Sequence, residues 1–323
     1  MNQPKVSVII PVYNLQPYLR RCLDSVVGQT LKDIEIICIN DGSTDGSPAI
    51  LREYEKKDSR VRVVDKENSG PGLARNTGIN MARGEYIGFV DGDDRIEPEM
   101  YEQMYAAAKK NDADILICTI KWLDGKGNDL KVRCDYDQYL GDRFGDGSVV
   151  FNRHDIADEV FMLNRFCWNK IYKRSFLEEK NILFSSHRQF EDHVFHFLSF
   201  IRAARISMVR RPFYNYYKYR PGALTAGKER PLLLFDAVAH VEKVLEDCGL
   251  ENDLRKRFGK FKIRWAVAIY YMAHRDLKKA YFNEMKSAFC KMDISENRFV
   301  GPVEKFFYVC VRSLPHDLYK FTD

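Results

Sequence analysis

The chain has 323 residues, of which 45% are hydrophobic and 30% are charged, and its formal net charge at pH 7 is +5. No run approaches the ~18 apolar residues that a membrane-spanning helix requires, and we read no cleavable export signal at the N-terminus. Eight scattered cysteines form no C-x-x-C pair, which argues against zinc and thioredoxin-like sites. We therefore expect a soluble, cytoplasmic protein with one large domain, or with one of ~200 residues and an appendage.

Strands and helices alternate along residues 1–120. The segments "KVSVIIP", "DIEIICIN", "RVRVVDK", "GEYIGFVD" and "ADILICTI" are typical of buried strands, and helical segments lie between them. This order predicts a mostly parallel α/β sheet flanked by helices. Ligands of such sheets bind at the carboxyl ends of the strands, so the polar residues there are the first candidates for a functional site.

The pattern changes after residue 120. Residues 121–150 are rich in Asp and Gly and predict an inserted hairpin or loop, and residues 153–205 are expected to be helical. The segment "RISMVRRPFYNYYKYR" returns to strand character, and everything from about residue 229 onward is expected to be helical. The chain should therefore divide near residue 225 into an α/β part and a helical part.

Three aspartates, Asp91, Asp93 and Asp94, directly follow the buried strand predicted for "GEYIGFVD". Carboxylates so close together would repel one another and raise each other's pKa. Mg²⁺ and Mn²⁺ prefer such oxygen ligands and often bridge them to substrate phosphates. The alternative is a turn whose aspartates cap the next helix, but the position after a buried strand favours a metal site.

Two further motifs lie near predicted strand ends. Asp41 ends the second strand in "INDGSTDGS", where a carboxylate could bind a nucleobase or a ribose. In "NSGPGLARNTGI" the glycine spacing differs from the dinucleotide fingerprint, which argues against a nicotinamide-dependent dehydrogenase. Arg75, in the first turn of the helix predicted there, could reach a pyrophosphate, or it could be an ordinary surface arginine.

An acidic pair, Glu191 and Asp192, lies in the aromatic segment "HRQFEDHVFHF". Carboxylates in apolar surroundings are costly unless they are paired or used, and burial there can raise a pKa toward the neutral range that suits a general base. The alternative is a helix N-terminus, which favours Glu and Asp electrostatically. The neighbouring His193 and His196 are expected to pack in the core rather than to bind metal.

Two later segments give weaker signals. Trp168 and Lys170, in "FCWNKIYKRSFL", could frame a sugar or an acceptor, although a hydrophobic helix edge would explain the same residues. Arg220, together with Tyr217 and Thr225 in "YNYYKYRPGALT", could contact a diphosphate. Neither segment predicts a function by itself.

Six motifs together resemble those of the bacterial family 2 glycosyltransferases of the GT-A fold: in chain order, "VSVIIPVYN", "INDGSTDGS", "GPGLARNTGI", "FVDGDD", "CWNKIYKRSFL" and "FEDHVFHF". The resemblance covers roughly residues 4–225. It implies a catalytic domain at 1–225, with a nucleotide-binding half at 1–120 and an acceptor-binding half at 121–225. A helical region at 226–323 would follow. The resemblance also implies a nucleotide-sugar donor, most often UDP-linked, a divalent metal (Mn²⁺ or Mg²⁺) and inversion at the anomeric carbon.

The resemblance also implies roles for single residues. On the donor side, the nucleobase would be held by Pro11, Tyr13 and Asp41, and the nucleotide would be contacted by Arg75. Asp91 would contact the ribose or a metal-bound water, and Asp93 would ligate the metal. On the acceptor side, Asp192 would deprotonate the acceptor hydroxyl with Glu191 in support.

These expectations describe an inverting hexosyltransferase (EC 2.4) that acts on a glycan or lipid-linked acceptor in cell-surface polysaccharide or lipopolysaccharide synthesis. Two alternatives stay open. A metal-dependent nucleotidyltransferase would release pyrophosphate rather than UDP from the donor. An inactive sugar-nucleotide-binding subunit would bind the donor without turnover.

The helical region is strongly basic, because residues 255–291 hold eleven lysines and arginines against two acidic residues. An apolar stripe at helical spacing runs through it, formed by Phe258, Phe261, Trp265, Ala268, Ile269 and Met272. Such a segment could lie on the anionic cytoplasmic face of the inner membrane as a peripheral contact. It could equally pack against the catalytic domain or against a second subunit in a homodimer. No recognised module predicts a nucleic-acid partner.

Overall fold

The computed structural model describes residues 3–132, 140–144, 146–157, 159–187, 190–218, 230–247, 249, 251–292, 294 and 300–313. The chain forms two compact units, residues 1–221 and 222–323, each held together mainly by contacts within itself. The boundary expected near residue 225 falls among residues 219–229, which lie outside the described part of the chain.

In the described part of the first unit, nine strands form one sheet: β1 (Val6–Val12), β2 (Ile34–Asp41), β3 (Val61–Lys66), β4 (Tyr86–Phe89), β5 (Arg95–Ile96), β6 (Ile115–Leu123), β7 (Asp146–Phe151), β8 (Lys170–Lys173) and β9 (Ile206–Tyr217). Their order is β3-β2-β1-β4-β8-β6-β9-β5, and β7 also pairs with β9. The helices of this unit are Gln16–Val27, Ser47–Lys57, Pro71–Met81, Met100–Asn111, Gly141–Phe144, Arg174–Glu179 and Glu191–Arg202.

The longest strand pairings are parallel. Parallel ladders join β1 to β2 and β4, β2 to β3, and β6 to β9. The strand β8 lies antiparallel between β4 and β6, and β5 and β7 are antiparallel to β9. The predicted α/β sheet, mostly parallel and flanked by helices, is therefore confirmed.

Among the described residues, the expectation of helix throughout residues 153–205 is wrong for 153–173, 180–187, 190 and 203–205. Apart from residue 158, which is not described, residues 153–169 form turns and irregular segments, and the next four residues form β8. Ile171 and Tyr172 are completely buried in this strand. Pairing on both sides of β8 therefore overrides the apparent helical pattern, because it satisfies the backbone within the sheet.

The helix Pro71–Met81 lies unusually close to the sheet. It begins with proline at its first position, a favoured place because the missing N–H would have had no partner inside the helix. A Cβ at Gly78 would lie only 2.4 Å from Ile9 Cγ2 on β1, so the bare glycine allows the close approach. This packing fixes the helix that carries Arg75 against the end of the sheet where the candidate site lies.

The second unit contains the helices Arg230–Asp247, Asn252–Met272, Lys278–Cys290 and Pro302–Ser313, as well as a short 3-10 helix at Arg275–Leu277. The helical expectation for this region is thus confirmed where the chain is described. In the predicted apolar stripe, Phe258, Phe261 and Ile269 are buried, whereas Trp265 is partly exposed and Ala268 is exposed. No helix in the described ranges combines the length and the apolar character needed to span a bilayer.

Candidate active site

The turn after β4 gathers three carboxylates. Asp94 N donates a hydrogen bond to Asp91 O at 3.0 Å, which closes the turn, and Arg21 Nη2 donates to Asp93 O at 2.6 Å. One oxygen from each aspartate lies within 4.8 Å of the others. Asp91 and Asp93 are partly exposed, as ligands of an incoming cation must be. This set of hard oxygen donors fits Mn²⁺ or Mg²⁺.

The third aspartate, Asp94, has a different environment. It is completely buried, and its Oδ2 and Oδ1 accept hydrogen bonds of 2.9 Å from Tyr214 OH and from Tyr217 N. Tyr214 OH itself accepts a hydrogen bond from Asp91 N at 3.1 Å. Burial, and then the charges of Asp93 and Asp91, raise the pKa of Asp94 well above its ordinary value. The strand β9 thus holds both ends of the acidic turn.

Arg75 connects the acidic turn to the second acidic group. Its Nη2 donates to Asp91 Oδ1 at 2.7 Å and its Nη1 donates to Glu191 Oε1 at 2.9 Å. The guanidinium lies over the ring of Phe184, at 5.3 Å from the centroid. Burial opposes the charge, but Cys167, Asp91 and Glu191 keep the pKa of Arg75 well above its ordinary value. The interpretation of Arg75 as a surface arginine is therefore wrong, because the residue is only 5% exposed.

The acidic pair begins the helix Glu191–Arg202. The pKa values of its two carboxyl groups are shifted in opposite directions from their ordinary values. Burial and the neighbouring charge of Asp192 raise the pKa of Glu191 to about 7. Burial would also raise the pKa of Asp192, but His193, whose Nδ1 lies 2.8 Å from Asp192 Oδ1, lowers it below the ordinary value. The expected upward shift therefore holds for Glu191 and is wrong for Asp192.

The loops after β1 and β2 are bound to each other. Asn14 Oδ1 accepts a hydrogen bond from Thr44 N at 2.8 Å, and Asn14 N donates to Ser43 Oγ at 3.1 Å. Of the two predicted nucleobase contacts on β1 and its loop, Pro11 is buried in the strand and Tyr13 is 49% exposed just beyond it. The ring of Tyr13 is therefore accessible at the strand end, where ligands of such sheets bind.

Asp41 orders the loop that leads into the helix Pro71–Met81. Its carboxylate accepts hydrogen bonds from Ser69 N at 3.0 Å, from Gly70 N at 2.9 Å and from Lys66 Nζ at 2.9 Å. The carboxylate is buried, and these donors satisfy the charge that burial would otherwise penalise. The expected contact of Asp41 with a nucleobase or ribose stays a prediction.

Trp168 and Lys170 are both buried. Trp168 is 3% exposed and stacks on Tyr214, with 4.1 Å between the ring centroids. Lys170 is completely buried, and its Nζ donates to Asn169 Oδ1 at 2.8 Å and to Phe166 O. Both side chains pack against other protein groups, and their expected contact with a sugar or an acceptor stays a prediction.

Sequence reasoning misses Tyr214. It is one of four tyrosines in "YNYYKY", and only the pairing of β9 with β5 and β6 reveals which of them faces the acidic turn. Arg220, the expected diphosphate contact, lies outside the described residues. The structure therefore brings Asp91 and Glu191 into contact with Arg75, places Asp93 in the same turn as Asp91, and leaves the contribution of Arg220 untested.

Comparison with known proteins gives one family and several relatives. The profile of glycosyl transferase family 2 matches residues 7–179. The chain is 35% identical over 236 residues to the uncharacterized glycosyltransferase EpsJ of Bacillus subtilis (strain 168), a match that covers 71% of this chain and 65% of that protein. It is 32% identical over 302 residues to the poly(ribitol-phosphate) beta-glucosyltransferase of Bacillus spizizenii, which covers 91% of this chain and 43% of that protein. The chain thus spans less than two thirds of the length of either relative.

Solved structures share the fold. Residues 1–349 of S. aureus TarS in complex with UDP-GlcNAc match with a TM-score of 0.72 and 21% identity, over 88% of this chain and 80% of that chain. The same TarS fragment in complex with UDP matches with a TM-score of 0.68 and 20% identity, over the same shares of the two chains. At these identities the likeness concerns the fold alone, and it confirms the expected GT-A architecture.

Proposed function

The chain belongs to glycosyl transferase family 2, and on this premise we propose that it transfers a sugar from a UDP-linked donor to a hydroxyl group of a glycan or lipid-linked acceptor. The product would belong to a cell-surface polysaccharide. Similarity to proteins named as glycosyltransferases supports the reaction class. A structural neighbour that binds UDP-GlcNAc supports a nucleotide-sugar donor.

One observation carries the proposal: the guanidinium of Arg75 contacts both Asp91 and Glu191. These carboxylates come from the two motifs that donor binding and acceptor activation would need. The bridge joins the two motifs, so a single sugar held between a diphosphate and a hydroxyl group would lie beside both of them. A reaction that uses only one motif would not require this arrangement.

On the donor side, Asp91 and Asp93 would hold Mn²⁺ or Mg²⁺. When bound, the metal neutralises the negative charge that develops on the departing nucleoside diphosphate. Tyr13, exposed beyond β1, and Asp41, at the end of β2, would lie on the nucleobase side. Arg220 is retained as a predicted diphosphate contact outside the described residues.

On the acceptor side, Asp192 would be the general base. Its side chain is 25% exposed, and His193 lowers its pKa against the effect of burial, so the carboxylate is ionised at neutral pH. It would accept the proton of the acceptor hydroxyl while the new glycosidic bond forms and the bond to the diphosphate breaks. Attack from the face opposite the leaving group inverts the anomeric carbon. Glu191, tied to Arg75, would position this helix rather than react.

The proposal can be tested with a panel of UDP-, GDP- and CMP-sugars, with and without Mn²⁺. We expect release of free UDP from one UDP-sugar, and loss of this release in Asp93→Ala and in Asp192→Asn. Asp33→Asn, which changes an exposed aspartate, is the matched control and should retain activity. Unimpaired turnover in either site variant would remove that residue from its proposed role.

The same assay separates the alternatives. Release of pyrophosphate instead of UDP would establish a nucleotidyltransferase. Tight donor binding without turnover, with every acceptor offered, would establish a sugar-nucleotide-binding subunit. Peripheral contact with the inner membrane and a homodimer stay predictions, to be tested on the full chain by flotation with anionic vesicles and by sedimentation.

A further inference from the structure

A single hydroxyl group touches both ends of the acidic turn. Tyr214 OH donates to Asp94 Oδ2 at 2.9 Å and accepts from Asp91 N at 3.1 Å. Three residues further along β9, Tyr217 N donates to the other oxygen of Asp94 at 2.9 Å. The turn is therefore fastened to β9 by three hydrogen bonds in addition to the one that closes it.

The side chain of Tyr214, which carries this hydroxyl group, is itself held rigidly. Tyr214 is completely buried, and its ring stacks on Trp168 with an interplanar angle of 21°. Trp168 stacks in turn on Phe166, at 4.4 Å between centroids. An aromatic ring held in a stack has few rotamers to lose, so its hydroxyl is a fixed point for the turn.

A third element holds the same turn from the other side. Arg21, on the helix Gln16–Val27, donates to Asp93 O and lies over the ring of Tyr217, with 3.6 Å between the guanidinium carbon and the ring centroid. The backbone of the turn is thus held between this helix and β9. Such support matters here because Asp91 and Asp93 repel each other, which would open an unsupported turn.

The three aspartates therefore fall into two groups. Asp91 and Asp93 are partly exposed, whereas Asp94 is fully buried and each of its oxygens accepts a hydrogen bond from β9. Turning Asp94 toward a cation would break both bonds and leave a buried hydroxyl and a buried amide without acceptors. Its geometry suits a structural anchor better than a ligand.

We propose that Tyr214 and Asp94 are positioning residues, which hold the backbone of the turn so that Asp91 and Asp93 present their carboxylates to a divalent cation. Asp94 does not ligate the cation in this arrangement. The inference rests on the proposed function for the presence of a metal, but not for the sugar, the acceptor or the base.

The test is calorimetric titration of the full chain with Mn²⁺ alone, without donor or acceptor. In Tyr214→Phe the ring still stacks on Trp168, but the hydroxyl that fixes the turn is lost. We expect the Mn²⁺ dissociation constant to rise about tenfold, because a turn without this fixed point would hold Asp91 and Asp93 in the binding geometry for only about a tenth of the time. Tyr216→Phe, which removes a hydroxyl from the same strand and stack, is the matched control and should bind Mn²⁺ like the unaltered chain.

A second pair of variants shows whether Asp94 anchors the turn or binds the cation directly. Asp93→Ala should abolish Mn²⁺ binding, whereas Asp94→Asn, which can still accept from Tyr217 N, should weaken it by no more than Tyr214→Phe does. With donor present, both positioning variants should regain most of the turnover number when Mn²⁺ is raised to saturation. Thermal unfolding without metal shows whether each variant is folded, and Asp94→Asn serves as the test if Tyr214→Phe is not.

Three results would overturn the inference: a Tyr214→Phe chain that binds Mn²⁺ as tightly as the unaltered chain, an Asp94→Asn chain that binds none, or an unaltered chain that binds none. Failure of sugar transfer with an intact effect of Tyr214 on Mn²⁺ binding would instead contradict the proposed function and leave the inference standing.

Discussion

Arg75 Nη1 lies 2.9 Å from Glu191 Oε1, although the two residues are 116 positions apart in the chain. The side chains are 7% and 11% exposed, so the pair is shielded from water and from salt. The other terminal nitrogen of the same guanidinium contacts Asp91. The single positive charge of Arg75 is therefore shared by two carboxylates. Several predictions depend on this shared charge or on its surroundings.

Replacing Arg75 should destabilise the fold. Arg75→Met leaves the buried Glu191 without its partner, so that its carboxyl group must either stay charged and unpaired or take up a proton, and we expect a loss of about 2 kcal/mol in the free energy of unfolding at neutral pH. Urea unfolding measures this loss. The double variant Arg75→Met/Glu191→Gln should recover part of it, because the unpaired charge is gone. If the separate losses in Arg75→Met and Glu191→Gln add up to the loss in the double variant, the pair is not coupled.

Stability should depend on pH through Glu191. Its pKa is about 7 in the native state against an ordinary value of 4.5, so the native state binds the proton more tightly than the unfolded chain does. The protonated carboxyl group therefore contributes stability below pH 4.5, and this contribution is lost as the pH rises toward 7. Urea midpoints measured across this range should fall more steeply with pH for the unaltered chain than for Glu191→Gln. Parallel curves would contradict the assignment.

The acid limb of the activity profile should depend on His193. Burial favours the neutral form of Asp192, and the interaction with His193 lowers the pKa of this carboxyl group below its ordinary value. His193→Phe keeps an aromatic ring but removes that interaction, so the pKa of Asp192 should rise. We expect the acid limb of kcat/KM to move to higher pH. His196→Phe, a change of another buried histidine on the same helix, should leave the limb in place.

Gly72→Ala should disturb the site, although alanine is the better helix former. A Cβ there would lie 2.6 Å from Ser185 O and 3.0 Å from Glu191 Cβ. The overlap should cost more than the ~1 kcal/mol gained in helix propensity, giving a net loss of about 1–2 kcal/mol and reduced turnover. Thermal unfolding and the UDP-release assay measure the two effects. Asn80→Ala, at an exposed position of the same helix, should be neutral or slightly stabilising.

Sequence patterns predict the sheet well because its strands are marked by continuous apolar runs. The residues at the carboxyl ends of these strands could be found for the same reason, since Asp91 directly follows such a run and Asp41 follows another after Asn40. The strand β8 could not be found. Its four residues are decided by pairing with β4 and β6, which lie far away in sequence, and local propensity carries little of that information.

The electrostatics of the site were harder to predict than its composition. The acidic pair could be identified from its aromatic surroundings, but the direction of each pKa shift depends on partners fixed by tertiary structure. Burial and the charge of Asp192 raise the pKa of Glu191 although Arg75 opposes the shift, whereas His193 lowers the pKa of Asp192 in spite of burial. The role of Tyr214 is hidden for the same reason, because its sequence neighbours are also tyrosines.

The placement of β8 also limits how this chain can be divided or recombined. A fragment that stops at residue 120 would leave an edge of β4 unpaired and would deprive β6 of its neighbours on both sides. Chimeras made by exchanging residues 121–225 with a relative would have to match four strand pairings in register, those of β8 with β4 and β6 and those of β9 with β6 and β5, not merely join at a loop. Specificity in this unit is therefore best altered by changing side chains on an intact sheet.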